Sequence, residues 1–303
     1  MLILLNPTSG SGAESDEIEG WVSTREEAEL RATFGAGDAR RWAREAAFAG
    51  TEIVAAAGGD GTVREVALGI LEAEDSETAL GIVPMGTGND LVRSLGVPLE
   101  IPEALALLER GTPRPMDVVR LTMDGHPDSF FLNAFTGGFS GALHDALDEE
   151  VKRTWGPLSY VRCGIETWGE RCLYPIRIEI DGREGSYEVL NVAVANGTTA
   201  GSGIPVAPRA DLFDGELDIT LILDAPLLQL PGLAAHVLAG DMHDHEALVR
   251  TRGRVVRLSS GSPLPVSVDG EAFEASQFQL EVHATRLPVV VAASPVDGRD
   301  QSG

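Results

Sequence analysis

The sequence contains very little lysine and few basic residues of any kind. Lys152 is the only lysine among 23 basic residues, whereas 47 residues are acidic, so the net charge at pH 7 is −24 over 303 residues. A surface with this charge repels phosphate backbones, which argues against sequence-independent binding of nucleic acid. The acidic residues are scattered along the chain, and we interpret them as an adaptation of the whole surface to molar salt. An ordinary acidic protein is the alternative.

Cysteines and long apolar runs are also scarce. Cys163 and Cys172 are too few for a disulfide framework, and no CxxC pair or Cys/His cluster is present to bind zinc. The longest apolar stretch, residues 227–240, is interrupted by Pro231 and His236. It is also shorter than the roughly 20 residues of a membrane-spanning helix. We therefore expect a cytoplasmic protein with two ordinary thiols.

The length and the 43% hydrophobic content allow two cores. Residues 1–117 alternate short apolar segments with helical patterns, which predicts a Rossmann-like parallel α/β domain. Residues 118–293 contain strand patterns separated by Asp-Gly turns, which predict a mainly antiparallel β-sandwich domain with helical segments at 141–168 and 226–239. Residues 294–303 are predicted to be a frayed tail. In the first domain we predict strands at 2–5, 30–33, 52–57 and 80–83, and helices at 14–27, 38–49 and 62–74.

Three glycine-rich loops, residues 6–12, 58–62 and 86–90, each follow a predicted strand. Open α/β sheets bind ligands at this end of their strands. Paired glycines in the second loop let the backbone approach a phosphate, which the start of the next helix would stabilise. Asp60 would repel that phosphate unless it holds Mg²⁺, directly or through water. A tight turn in which Asp60 caps the helix is the alternative interpretation.

The motifs taken together resemble the diacylglycerol kinase catalytic family, which includes bacterial soluble lipid kinases, diacylglycerol kinases and sphingosine kinases. They are NPTSG (6–10), GGDGT (58–62), PMGTGND (84–90), LNAFTGGFSG (132–141), ANG (195–197), PRADLFDGELD (208–218) and VDGE (268–271). GGDGT also occurs in NAD kinases and 6-phosphofructokinases, whereas the whole set in this order is specific. The resemblance implies an ATP- and Mg²⁺-dependent kinase that phosphorylates a lipid hydroxyl, with the nucleotide in a cleft between the domains.

The resemblance also implies roles for individual residues. Asp60 matches the acid associated with the Mg²⁺-nucleotide, and Glu271 matches a proton acceptor, so these two are the expected catalytic residues. Asp214 matches a carboxylate ligand of a structural Mg²⁺, and Asp211 and Glu216 match neighbours that supply ligands from the same turn through main-chain oxygens. The positions that match ATP-binding residues are Asn6, Pro7, Thr8, Ser9, Gly10, Thr33, Gly58, Gly59, Asp60, Gly61, Thr62 and Thr87.

The residues alone support these second-domain roles only in part. Residues 211–216 carry three carboxylates around a turn glycine, which oxygen-binding cations favour. In a protein of this charge, however, an ordinary acidic turn explains them better. Residues 269–271 taken alone are an ordinary hairpin turn with a solvated glutamate.

Two alternatives to a lipid kinase remain open: an NAD kinase-like enzyme that shares GGDGT, and an inactive nucleotide-binding sensor. Against the first, residues 91–93 read Leu-Val-Arg where such enzymes have a glycine–phenylalanine–leucine run. Against the second, Asp60, Asp214 and Glu271 are all present.

The expected partners are ATP and a lipid. Because a net charge of −24 repels an anionic bilayer, we expect transient apolar docking at the membrane surface, favoured by salt. The sequence leaves open which lipid is the acceptor and whether the chain forms a homodimer.

Overall fold

The structure is a computed structural model that describes residues 1–74, 76–139, 173–224 and 246–293. The predicted helical segments at 141–168 and 226–239 and the predicted tail at 294–303 lie outside the described residues. The remainder forms a six-stranded sheet, a nine-stranded sheet and a short two-stranded sheet.

The elements follow one another in two blocks. The first contains β1 (Leu2–Leu5), α1 (Gly12–Ser23), β2 (Glu29–Ala32), α2 (Asp38–Phe48), β3 (Ile53–Gly58), α3 (Asp60–Leu71), β4 (Ala79–Pro84), α4 (Asp90–Leu95), α5 (Ile101–Arg110) and β5 (Thr112–Met116). The second contains β6 (Val119–Met123), β7 (Ser129–Phe131), β8 (Ala134–Gly138), β9 (Tyr174–Ile180), β10 (Arg183–Ala195), β11 (Thr199–Ala200), β12 (Ile204–Pro205), β13 (Leu217–Leu223), β14 (Leu248–Gly253), β15 (Val255–Val268), β16 (Glu271–Val282) and β17 (Leu287–Val291).

The six-stranded sheet has the order β2-β1-β3-β4-β17-β5, and its first four strands are parallel. Successive side chains of a strand point to opposite faces, and β1 shows this directly. Leu2 and Leu4 pack in a core shared with α2 and α3, whereas Ile3 and Leu5 pack in a core shared with α1 and α5. Helices therefore cover both faces, which confirms the predicted parallel α/β fold.

The nine-stranded sheet has the order β14-β13-β10-β8-β15-β16-β6-β7, and all its pairings are antiparallel. Strand β9 pairs with both β10 and β15, whose other ends are joined through β8, so the sheet folds back on itself. Its side chains enclose a separate core that includes Phe131, Phe135 and Phe278. The prediction of a mainly antiparallel second region is confirmed.

Strand β17 differs from the predicted organisation. It lies within residues 118–293, but it pairs parallel with β4 and antiparallel with β5 in the first sheet. Leu287 and Val289 are buried among the residues of the first core. A short apolar strand is compatible with either sheet, and only the three-dimensional path of the chain assigns it to the first.

Candidate active site

The first glycine-rich loop is organised around Asn6, directly after β1. Its backbone N–H donates to the Ala57 carbonyl at 2.9 Å, and its Oδ1 accepts from the N–H and Oγ1 of Thr8 at 3.0 and 2.8 Å. Its Nδ2 donates to Thr62 Oγ1 at 3.1 Å. Asn6 thus holds residues 6–10 against residues 58–62, at the carboxyl ends of β1 and β3.

The second and third loops are in backbone contact. A Cβ atom on Gly86 would lie 2.6 Å from Gly59 Cα, and a Cβ on Gly58 would lie 2.5 Å from Thr62 Oγ1. A side chain at position 86 would therefore push the second and third loops apart, and one at position 58 would displace Thr62 within its own loop. The three loops lie together at one edge of the sheet. Pro7, Thr8, Gly61 and Thr87 are exposed there, and Ser9 is partly exposed.

Thr33 lies at the same edge, at the end of β2. It is buried, and its N–H and Oγ1 both donate to the Leu5 carbonyl, at 2.8 and 3.3 Å. The next residue, Phe34, is 89% exposed. Thr33 therefore supports the end of β1, while the neighbouring aromatic ring is accessible.

Asp60 is the first residue of α3, two residues before the predicted start of that helix. It does not cap the helix, because the cap position is Gly59, with no side-chain hydrogen bond. Instead, Asp60 Oδ1 accepts the N–H of Asp90 at 2.9 Å. Burial raises the pKa of Asp60 to about 6, and the carboxylates of Asp90 and Asp269 add to this rise. A largely buried carboxylate with two other carboxylates nearby favours a nearby cation.

Asp90, which the sequence analysis did not single out, connects the third loop to the second region. Its carboxylate accepts the N–H groups of Ser202 and Gly203 at 2.9 and 2.7 Å. Asn89, just before it, has a left-handed backbone with φ of 51°, and its Nδ2 donates to the Gly86 carbonyl at 2.7 Å. Asn89 Oδ1 is buried and accepts no hydrogen bond from the described part of the chain.

The hairpin between β15 and β16 carries the predicted proton acceptor. Asp269 and Gly270 have φ values of 45° and 86°, as a two-residue turn of this type requires. The Asp269 carboxylate accepts the backbone N–H groups of Leu132, Asn133 and Ala134 at 2.7, 3.0 and 3.0 Å. Burial raises the pKa of Asp269, against the opposing effect of these three hydrogen bonds. The turn predicted as ordinary is therefore anchored to the segment that joins β7 and β8.

Glu271, the first residue of β16, faces α3. Its Oε1 accepts a hydrogen bond from Arg64 Nη1 at 2.6 Å, and the Glu271 side chain is 52% exposed. Arg64 lies one helical turn beyond Asp60. The structure therefore joins Glu271 to the helix that begins with Asp60. Arg64 was missed by the sequence analysis, although its spacing of four from Asp60 places both on one helix face.

The predicted structural Mg²⁺ site at residues 211–216 is arranged differently. Asp211 Oδ1 accepts the Phe213 N–H at 3.0 Å, and Asp214 Oδ1 accepts the Glu216 N–H at 3.0 Å. Arg252 pairs with Asp214 Oδ2, and its Nη1 lies 3.0 Å from Glu216 Oε2. Over the described ranges, no group of three His, Cys, Asp or Glu side chains is placed to hold a metal ion. The carboxylates of Asp214 and Glu216 thus pair with Arg252, and the structural Mg²⁺ site at these residues stays a prediction.

The fold and site define a class: two-region enzymes in which glycine-rich loops on a parallel sheet face a carboxylate from an antiparallel sheet. Residues 1–121 match the family described as "Diacylglycerol kinase catalytic domain", and residues 136–291 match "YegS C-terminal NAD kinase beta sandwich-like domain". The chain is 32% identical over 287 residues to "Probable lipid kinase YegS-like" of Stenotrophomonas maltophilia, covering 92% of each chain. It is 33% identical over 292 residues to the protein of the same name in Pseudomonas aeruginosa strain PAO1, covering 95% of this chain and 94% of that one.

Solved structures agree with these relatives. A "putative diacylglycerol kinase" from Bacillus anthracis strain Sterne superposes with a TM-score of 0.79 at 26% identity, covering 97% of this chain and 95% of that chain. Another structure so described from the same organism gives a TM-score of 0.77 at 25% identity, covering 96% of each chain. The chain therefore belongs to the family of YegS-like lipid kinases with a diacylglycerol kinase catalytic domain, and it is a kinase.

Proposed function

We propose that the protein transfers the γ-phosphate of ATP to the hydroxyl group of a diacylglycerol-like lipid. The observation that carries this proposal is the hydrogen bond between Glu271, from the second sheet, and Arg64, which lies one helical turn beyond Asp60 on α3. A phosphoryl donor on the loops of the first sheet and an acceptor held by the second sheet would meet at this point.

The nucleotide phosphates are proposed to bind to the three glycine-rich loops. Their backbone N–H groups, the start of α3, and the hydroxyl groups of residues such as Thr8 and Thr87 can donate to phosphate oxygens. The close backbone contact between Gly59 and Gly86 supports this placement, since it brings the second and third loops together. Exposed Phe34, beside Thr33, offers an aromatic surface at the same edge.

Mg²⁺ is proposed to accompany ATP at Asp60. The fit rests on the chemistry of the site: Asp60 is largely buried, and Asp90 and Asp269 raise its pKa further, so a cation there would relieve an unfavourable charge. Mg²⁺ prefers one or two carboxylates together with phosphate oxygens. It would supply charge neutralisation for the triphosphate.

Glu271 is proposed to accept the proton of the lipid hydroxyl. The hydroxyl oxygen then forms a bond to the γ-phosphorus while the bond from that phosphorus to the bridging oxygen breaks, and ADP leaves with the electron pair. The anchoring of Asp269 by three backbone N–H groups supports this role, because it fixes the turn from which Glu271 projects.

The test uses the full chain with labelled ATP, Mg²⁺ and a total lipid extract in molar salt, with the product identified by mass spectrometry. Glu271→Gln is expected to lower turnover about 10²–10⁴-fold, the usual contribution of a positioned base. Glu179→Gln is the matched control, because Glu179 also pairs with an arginine, Arg257, at 2.6 Å. Phosphorylation of NAD⁺ and of no lipid would favour the NAD kinase-like alternative. Binding of ATP without any transfer would favour the inactive sensor.

Access to lipid is proposed to occur by transient apolar docking at the membrane surface. None of the helices in the described ranges has the length and hydropathy of a membrane span. Flotation with anionic vesicles across a salt series tests the docking, and binding that is strongest at low salt would contradict it, since the net charge is −24.

A further inference from the structure

We propose that Arg64 takes part in the transfer reaction in two ways: it directs Glu271 toward the transferred phosphoryl group, and it offers the rest of its guanidinium to that phosphate. The inference rests on the proposed function and adds to it a residue that none of the sequence motifs singled out. It assigns Arg64 two simultaneous partners, Glu271 and the γ-phosphate.

Arg64 shares a face of α3 with Asp60 and is largely buried. Asp60 and Arg64 are four residues apart on α3, so their side chains lie on the same helix face. The Arg64 side chain is only 14% exposed, whereas its partner Glu271 is 52% exposed. An arginine held this deeply between two regions has a fixed direction, and Nη1 uses one of its donors to hold Glu271 at 2.6 Å.

Among the described residues, one donor of Arg64 is left without an acceptor. Arg64 Nε is buried and makes no hydrogen bond to any residue that the structure describes. A buried charged group left unsatisfied is costly, and such exceptions call for an explanation. The guanidinium edge formed by Nε and Nη2 is also the edge that binds phosphate with two parallel hydrogen bonds. A phosphate in the cleft would satisfy the orphaned N–H.

The cleft also contains three carboxylates. The carboxylates of Asp60, Asp90 and Asp269 are each hydrogen-bonded by backbone N–H groups. Arg64 makes its own side-chain hydrogen bond to Glu271 rather than to any of these three. Its positive charge also lowers the pKa of Asp269, although these two side chains share no hydrogen bond that the structure describes, and the same charge would attract an incoming phosphate.

The consequence for the reaction follows from proton balance. While Glu271 is ionised, Arg64 shares its charge between the carboxylate and the phosphate. When the hydroxyl proton passes to Glu271, that carboxylate becomes neutral, so the charge of Arg64 is left for the oxygens of the phosphoryl group as it moves from ADP to the lipid oxygen. The arginine thus contributes most at the stage at which the phosphoryl group is in transit.

The test compares Arg64→Gln and Arg64→Lys with the matched control Arg257→Gln. Arg257 also donates from Nη1 to a glutamate, Glu179, at 2.6 Å, but on the second sheet alone. We expect Arg64→Gln to lower kcat about 100-fold with little change in the KM for lipid, as for the loss of one transition-state donor. Arg64→Lys, which keeps the charge without the planar fork, should recover part of that loss. The control should stay within about twofold of the wild type.

A binding measurement separates this inference from the proposed function. Calorimetric titration with a non-hydrolysable β,γ-imido ATP analogue and Mg²⁺ is expected to show weaker binding by Arg64→Gln, by about tenfold. If the wild type binds the analogue but phosphorylates no lipid, the proposed function fails while the phosphate contact of Arg64 is still tested. Equal analogue affinity in the wild type and Arg64→Gln would overturn the inference. The inference would also be overturned if Arg64→Gln and Arg64→Lys lost the same share of kcat and this loss followed the fall in their melting temperatures.

Discussion

Two arginines organise the two predicted functional regions, and they do so in opposite ways. In the cleft, Arg64 bonds one carboxylate and keeps a buried Nε without a partner among the described residues. At the acidic turn, Arg252 bonds Asp214, Glu216 and Asp218 at once, and its pKa is raised chiefly by Asp214. The first arginine still has capacity for a ligand, whereas the second already neutralises its surroundings. An acidic cluster in a sequence therefore does not by itself indicate a cation site.

The largest effect is expected at the cleft. Asp60→Asn should lower turnover by more than about 10³-fold, because the site loses the carboxylate proposed to hold Mg²⁺ next to the phosphates. The measurement is initial-rate ATP-dependent lipid phosphorylation. Asp214→Asn is the counterpart at the turn and should stay within about threefold of the wild type. A comparable loss in both variants would erase the contrast between the two regions.

A smaller effect is expected from the anchor of the hairpin. Asp269→Asn should lower the melting temperature by about 4–8 °C, because one carboxylate oxygen that accepts buried N–H groups becomes a donor. Turnover should fall further than the affinity for the ATP analogue, since Glu271 loses its fixed direction. Calorimetry and steady-state kinetics measure the two effects. An unchanged turnover would show that the direction of Glu271 does not depend on Asp269.

At the acidic turn, residues 211–216, loss of Arg252 should lower the stability of the protein. Arg252→Gln is expected to lower the melting temperature by about 2–4 °C, a modest value because these ion pairs are partly exposed and screened. The variant should then be stabilised by millimolar Mg²⁺, while the wild type should be insensitive to Mg²⁺ and to EDTA. Thermal unfolding with and without each additive measures this. A wild type that loses stability in EDTA would support the predicted Mg²⁺ site at residues 211–216.

The smallest effect is expected at an exposed counterpart of Asp269. Asp124 Oδ1 accepts the N–H groups of Ser276 and Gln277 at 2.9 Å each, which lower the pKa of Asp124 below its ordinary value. A lowered folded-state pKa contributes stability above the unfolded value, about 3.9, and loses it as the pH falls through the folded value. The small difference in melting temperature between wild type and Asp124→Asn should therefore be present at pH 6 and shrink toward pH 3. A difference in melting temperature that grows as the pH falls would contradict the expected pH dependence.

The sequence pattern predicted the first sheet closely, and for a clear reason. The prediction of residues 2–5 coincides with β1, and β2, β3 and β4 lie within one residue of the predicted ends. Strands β1, β3 and β4 are buried almost throughout and read as continuous apolar runs, which are easily recognised. Helices α4 and α5 and strands β5 and β17 were not predicted. Strand β5 contains two prolines and is mostly exposed, so its residues carry no strand pattern.

The candidate site was only partly predictable. The glycine loops and Asp60 were found because backbone approach to a ligand restricts the residue type. Arg64, Asp90 and Asp269 were missed, because their partners are far away in sequence: Arg64 and Glu271 are 207 residues apart. Nothing in a local pattern records such a pairing.

By itself, then, the amino-acid sequence determined the local elements, the loops that must contain glycine, and the family resemblance that the comparisons bear out. Steric limits and the burial of apolar side chains act over a few neighbouring residues, and a chain displays them in its order. Only the tertiary structure decided which carboxylate faces an arginine with a free donor and which faces an arginine already saturated. Hydrogen bonds and charges act through space, and folding alone sets which distant groups come within their reach.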